Sequence, residues 1–428
     1  MIPLLRKEPQ NLLEARWPNT GVEDTEFTET AARIIEDVRA RGDLAIVKYT
    51  QKFDGVTVDP KQLVVGEEEV EAAYLKVTAS QVESLEKAKA RLEVVESRRI
   101  KGLSFDHEIE GVRIYSRVRP LRRVGCYVPG GKAAYPSTVI MNVTPAKVAG
   151  VGEVVVATPP GPEGSIPPLT LVAADICGVD SIYRIGGIQA IAALAFGTET
   201  VGRVDKIVGP GNKYVTAAKS AVSHWVAIDK PAGPTEILVI ADEFADPRII
   251  AMDLISQAEH GSGGISGLIT TSEALAKEVQ NVLSEMVPKI PRYKYVREVL
   301  ESGGFIYLTK SLDDAAEFAD RFGPEHLEIQ TREPRELAEK VSGAGLILLG
   351  EYTPVSATDY CMGVNHVLPT NGYGKISSGL TVIDFLKFVN IVESSPEGLQ
   401  NVRENVRILS DAEELPNHGL AVEGRFKA

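Results

Sequence analysis

Glutamate and histidine stand side by side at Glu325 and His326, in the stretch RFGPEHLEIQ. The pairing suits proton transfer, because an imidazole titrates near neutrality and an adjacent carboxylate can orient it or activate a water. The residues before the pair, SLDDAAEFADRF, read as a helix with Ser311 as N-cap and Asp314 at the capping-box position. LEIQT, which follows, alternates apolar and polar residues like a short strand. The pair thus falls on a helix-to-strand corner, where working residues concentrate, although a polar turn would be written in the same letters.

Three other histidines sit in polar corners: His260 in ISQAEHGSGG, His366 in DYCMGVNHVLPTNGYG and His418 in EELPNHGL. His107 and His224 lack such company and read as structural or surface residues. The helix predicted from Asp246 (N-cap) and Pro247 carries Gln257 and His260 three residues apart, on one face. That spacing fits a pair of metal ligands, and equally a histidine capping the last carbonyls of a helix. Asp359, in PVSATDYCMG, opens the next polar corner, and a carboxylate with two histidines would suit zinc or manganese. No HExxH or CxxC spacing is present, and no GxGxxG directly follows a predicted strand.

These residues need a scaffold, and the chain alternates strands with helices. GVGEVVVATPPG, DSIYRIGG, DKIVGPGN and TEILVIAD read as buried strands, with helices in PPLTLVAADICG, IQAIAALAFGTE and KYVTAAKSAVS between them. The pattern resumes after Ala245 through SGLITTS, GGFIYLT, LEIQT and GLILLGEY. Such alternation predicts an α/β fold with parallel-sheet cores. The first hundred residues or so read as charged and mostly helical, the last fifty or so as a small helical appendage. A length of 428 residues implies two or three domains. The net charge of -13 argues against a nucleic-acid face. No apolar run reaches the roughly 18 residues that span a bilayer, and the start, MIPLLRKEPQ, has no long apolar leader segment. Cys126, Cys177 and Cys361 are odd in number and widely spaced, which suits a reducing cytoplasm. On these residues alone two readings stand: an α/β enzyme, with nucleotide and metal both open, or a two-lobed binding protein without chemistry.

Eight longer stretches carry a resemblance. They are VGCYVPGGKAAYPSTVIMN, IGGIQAIAALAFGTETV, DKIVGPGNKYV, DKPAGPTEILVIAD, SQAEH, FGPEHLEIQ, DYCMGVNHVLPTNGYGKISSGLTVIDFLK and EELPNHGLAVEGR, and they span nearly the whole chain. In this order they resemble the histidinol dehydrogenase family. The resemblance implies NAD-dependent, four-electron oxidation of L-histidinol to L-histidine through the aldehyde. It implies Glu325 and His326 as the catalytic pair, and one zinc ion per subunit held by Gln257, His260, Asp359 and His418. His418 would come from the partner in an intertwined homodimer with shared active sites. Ser137, Thr235, His366 and Glu413, together with the metal ligands and His326, would contact the substrate, and Tyr127, Gln189 and Asn212 would contact NAD. The implied fold is a pair of incomplete Rossmann-like domains with a helical N-terminal arm and a small C-terminal helical tail. By number, the arm is 1–25, the first Rossmann-like domain 26–120 with 236–375, the second 121–235, and the tail 376–428. A cytoplasmic enzyme without nucleic-acid or membrane partners is expected.

Four positions depart from the family pattern. Thr235 stands where serine is usual and keeps the hydroxyl. Gly263 and Gly264, after the ligand histidine, should loosen their loop. Val355 replaces a glutamate expected near the substrate's amino group. A sister branch of the superfamily oxidises sulfonated diols, and these departures keep such a small alcohol as the alternative substrate.

Overall fold

The computed structural model describes residues 2–16, 25–130, 134–230, 233–261 and 263–426. Two parallel sheets organise it. The first has six strands in the order Leu4–Leu5, Gly304–Leu308, Ile265–Thr270, Glu236–Ala241, His326–Gln330, Leu346–Leu349. The second has five, ordered Ser181–Arg184, Glu153–Thr158, Arg123–Tyr127, Lys206–Val208, Ala227–Ile228. Every pairing within both is parallel. The strand EILVIA is buried at all six positions, as expected of a parallel strand covered on both faces.

Helix starts follow local chemistry. Pro247–Ala258 begins with Asp246 accepting from the Arg248 amide at 2.7 Å and Pro247 in the first turn. Leu312–Phe322 begins with Ser311 accepting from the Asp314 amide at 3.1 Å, and ends at Gly323, whose φ of +64° is left-handed. Helices Pro247–Ala258, Glu273–Met286 and Tyr293–Gly303 cover one face of the six-stranded sheet; Leu312–Phe322 and Pro334–Ala338 cover the other.

The helices of residues 25–100 bury their apolar faces against the five-stranded sheet. Grouping 26–120 with the other sheet therefore differs from the observed packing. An amphipathic face announces that it will be buried, but not against which sheet. The tail is richer than a helical appendage: strand Leu386–Ser394 pairs antiparallel with Val112–Pro120, which pairs with Phe105–Ile109. Helices Pro396–Ala412 and Pro416–Glu423 follow it. Among the described residues, no helix is long and apolar enough to cross a membrane.

Candidate active site

His326 is the first residue of its strand, immediately after the Gly323-Pro324 turn and Glu325. Both side chains are buried, with 3% of His326 and 6% of Glu325 exposed. Glu325 Oε2 accepts from the Thr235 hydroxyl at 2.6 Å and from the Glu236 amide at 2.8 Å. His326 Nδ1 lies 3.1 Å from the Glu236 carbonyl oxygen and 3.5 Å from Glu325 Oε2. Both of these neighbours are acceptors, so in the neutral ring the hydrogen resides on Nδ1 and the lone pair on Nε2. Nε2 is buried without a hydrogen-bond partner among the described residues and lies 3.9 Å from Asp359 Oδ1. Burial opposes the imidazolium, but the Glu325 carboxylate, Asp359 and the Glu236 carbonyl outweigh it and push His326 up to about 9. Burial likewise opposes ionisation of Glu325, yet His326, Thr235 and the Glu236 amide hold it below the usual carboxylate range.

Gln257 closes the same network by donating from Nε2 to the Thr235 hydroxyl. Its amide oxygen, the donor a metal would prefer, is not the atom used in that bond. The helix ends at Ala258, so His260 sits in the turn beyond it, exposed, while Gln257 is buried. The one-face geometry expected for this pair thus stops two residues short of His260, although the His260 amide still bonds the Gln257 carbonyl at 3.2 Å. Asp359 lies on helix Val355–Tyr360, and its carbonyl meets His366 Nδ1 at 2.7 Å. The other ring nitrogen of His366 lies 3.4 Å from the Thr138 hydroxyl, on a helix that packs on the five-stranded sheet. The candidate site therefore spans the junction of the two sheets. Burial holds the His366 imidazole below its ordinary range.

The expected cofactor residues collect at the carboxyl edge of the five-stranded sheet, where α/β folds bind nucleotides. Tyr127 ends its strand, and its hydroxyl accepts from the Gly187 amide at 3.1 Å. Gln189 lies on helix Gly187–Phe196, and its buried Oε1 has no partner among the described residues. Asn212 caps helix Lys213–Val222 by accepting from the Tyr214 and Val215 amides.

A histidinol dehydrogenase family profile matches residues 18–426. The histidinol dehydrogenase of Methanocaldococcus jannaschii is 44% identical over 94% of this chain and 93% of its own length. That of Clostridium acetobutylicum is 45% identical over 95% and 94%. The crystal structure of histidinol dehydrogenase from Elizabethkingia anophelis superposes with a TM-score of 0.94 at 35% identity, covering 100% of this chain and 98% of that one. The chain belongs to the histidinol dehydrogenase family. It is therefore an oxidoreductase, and the reading as a binding protein without chemistry falls away.

Not every residue expected from the histidinol dehydrogenase resemblance is brought to the site within one chain. Glu413 and His418 are exposed on the tail, Glu413 as C-cap of helix Pro396–Ala412 and His418 within Pro416–Glu423. Among the described residues no three His, Cys, Asp or Glu side chains form a metal-holding group. Ser137 is half-buried near the start of its helix, and its neighbour Thr138 makes the contact to His366. Val355 is 1% exposed in the apolar layer of the six-stranded sheet, so its side chain faces the core. Gly263 has φ +86°, and a Cβ there would lie 3.0 Å from Pro234 Cγ; glycine at this position satisfies a left-handed turn. Ser262, in the same loop, lies outside the described residues.

Sequence reasoning passed over Glu236, whose backbone holds both members of the catalytic pair, and Arg16 beneath it. It also missed the buried carboxyl pair Asp253 and Glu328, four residues before Gln257 and two after His326. The acids Glu236, Asp253 and Glu328, set in strands or helices that are otherwise apolar, were the available signal.

Proposed function

We propose that this protein oxidises L-histidinol to L-histidine with NAD, through L-histidinaldehyde. The observation that carries the reading is the orphaned Nε2 of His326, fixed as the free lone pair by two acceptors at Nδ1 and turned toward Asp359. NAD supplies the hydride acceptor when bound, and Tyr127, Gln189 and Asn212 are the residues we assign to it. In the first oxidation the neutral ring of His326, the form that predominates above about 9 in the metal-free protein, takes the hydroxyl proton of the alcohol at Nε2 as its carbon is oxidised. In the second, Glu325 activates the water that adds to the aldehyde, and His326 again takes a proton. Both described bonds to Glu325 fall on Oε2, which leaves Oε1 for that water. Ser137, Thr235, His366 and Glu413 are proposed to line the substrate.

The donor set fits a divalent metal. Gln257 offers an amide oxygen, His260 an exposed imidazole and Asp359 a carboxylate, a mixture suited to zinc. A bound zinc would hold the imidazole and amino group of the substrate in place. We assign the fourth ligand, His418, to the partner subunit of a homodimer. The tail exposes Phe388, Val392, Leu409 and Leu420, each more than half accessible, and a second copy would cover them. A cytoplasmic location fits three free cysteines. The relatives named above are all histidinol dehydrogenases, and the burial of Val355 removes one reason to favour a sulfonated diol.

The test is NADH formation from L-histidinol by purified protein. Two NADH per histidinol, lost with a chelator and restored by zinc, is the expected result. No turnover by folded, metal-replete protein would overturn the assignment. For the dimer, His418→Asn and Gln257→Ala variants, each inactive alone, should recover activity when their subunits are exchanged, because one composite site in the mixed dimer is intact. Absence of recovery after verified exchange would remove the shared site.

A further inference from the structure

Arg16 is 2% exposed and lies 220 positions before its main partner, Glu236, itself 3% exposed. The guanidinium forms a two-pronged pair with the carboxylate, at 2.5 Å and 2.6 Å. Its remaining donors reach the Phe322 carbonyl at 3.0 Å and the Gly323 carbonyl at 3.3 Å, and the group stacks 3.8 Å from the centre of the Phe322 ring. Glu236 also accepts from the Asn371 amide at 3.1 Å.

The two ends of this grip matter. Phe322 and Gly323 form the helix end and turn that lead directly into Glu325 and His326. Glu236 supplies the amide that binds Glu325 and the carbonyl that meets His326 Nδ1. One guanidinium thus fastens the turn that delivers the catalytic pair to the strand end that orients it. A buried ion pair adds little net stability compared with an apolar pair of similar volume, because desolvation offsets the attraction. Its directional bonds nevertheless fix geometry, which a planar fork does better than a lysine.

We infer that Arg16 is a positioning residue for the oxidation: through Glu236 it sets the backbone amide that holds Glu325 and the backbone carbonyl that fixes the tautomer of His326. This rests on the proposed histidinol reading for its kinetic readout, so one arm of the test does not use activity.

The variants are Arg16→Met, Arg16→Lys, Arg16→Ala and the double change Arg16→Met with Glu236→Gln. In folded Arg16→Met, kcat should fall about 10- to 100-fold while KM changes less than about 3-fold, the signature of misplaced catalytic groups. The double variant, which leaves no unpaired buried carboxylate, should be the more stable of the two and recover part of kcat. Arg16→Lys should recover less than the fork provides. Guanidinium added to Arg16→Ala should raise its turnover. Independently of turnover, the ring nitrogen shifts of His326 at fixed pH should change in Arg16→Met, because the Nδ1 bond to Glu236 is disturbed.

If Arg16→Met does not fold, the double variant and Arg16→Lys carry the same comparison. Native kcat together with unchanged His326 ring shifts in any folded variant lacking the fork would overturn the inference. Wild-type protein inactive on histidinol would defeat the functional reading alone, and the ring shifts would still decide the role of Arg16.

Discussion

The Nδ1 atom of His326 lies 3.1 Å from the carbonyl oxygen of Glu236, a residue of the neighbouring strand that also donates its amide to Glu325. One residue, through the two peptide groups that flank its Cα, therefore orients both the base and the acid. With Nδ1 committed as donor, His326→Asn should lower turnover by about 10²- to 10⁴-fold, the usual worth of a general base, with metal content and fold unchanged. Steady-state NADH formation and metal analysis check this. Loss of the metal would assign His326 to the ligand set.

Glu325 carries a second consequence. In metal-free protein the His326 imidazole is pushed up to about 9 against the opposing effect of burial, with Glu325 the largest favourable cause. Glu325→Gln removes that charge and leaves the burial, so the imidazole should titrate at lower pH. Nitrogen shifts of labelled histidine across a pH series would show it, and an unmoved titration would mean that Asp359 and the Glu236 carbonyl hold the proton. In turnover the same variant should slow the aldehyde step more than the alcohol step.

Much of this arrangement was legible from sequence, and the gaps have physical causes. The parallel strands announced themselves because each is apolar and punctuated, as in EILVIA and EVVVAT. The Asp246 and Ser311 caps were readable because capping is local chemistry. LEIQ misled in one respect: its alternation suggests a half-exposed strand, yet all of His326–Gln330 is buried. Its polar side chains meet a second buried polar layer, made by Asp253 and the Val355 amide. Arg16 and Glu236, distant in sequence, gave no local pattern, and the strand in the tail was hidden by its exposed, mixed composition.

Thr235 joins the expected metal side of the site to the catalytic side, accepting from Gln257 and donating to Glu325. Thr235→Ser keeps both bonds and should change little. Thr235→Val removes both, and a lost hydrogen bond to a charged group is worth about 1.5–3 kcal/mol, or roughly 10- to 100-fold. Zinc affinity and kcat should therefore fall together in the valine variant, measured by competition with a chelating dye and by turnover. A fall in only one would show that the threonine does not couple the two sides.

Glu328 supplies a prediction about stability. It shares a hydrogen bond with Asp253, accepts from the Val355 amide at 3.0 Å and receives Gln330 Nε2 at 3.1 Å. Two buried carboxyl groups can bond each other only if one keeps a proton. Burial, followed by the Asp253 charge, pushes Glu328 up to about 8 from an ordinary 4.5. The native state therefore holds a proton that the unfolded chain releases throughout that window. Its contribution is fully present below about 4.5 and is lost as pH rises toward about 8, beyond which the difference levels off. Glu328→Gln keeps a neutral side chain of the same shape and cannot ionise. The Tm of the variant relative to wild type, both metal-stripped, should therefore increase with pH across this interval and then become constant. A difference independent of pH would show that no proton is held there, and that the carboxyl pair is kept together by Gln330 and the Val355 amide alone.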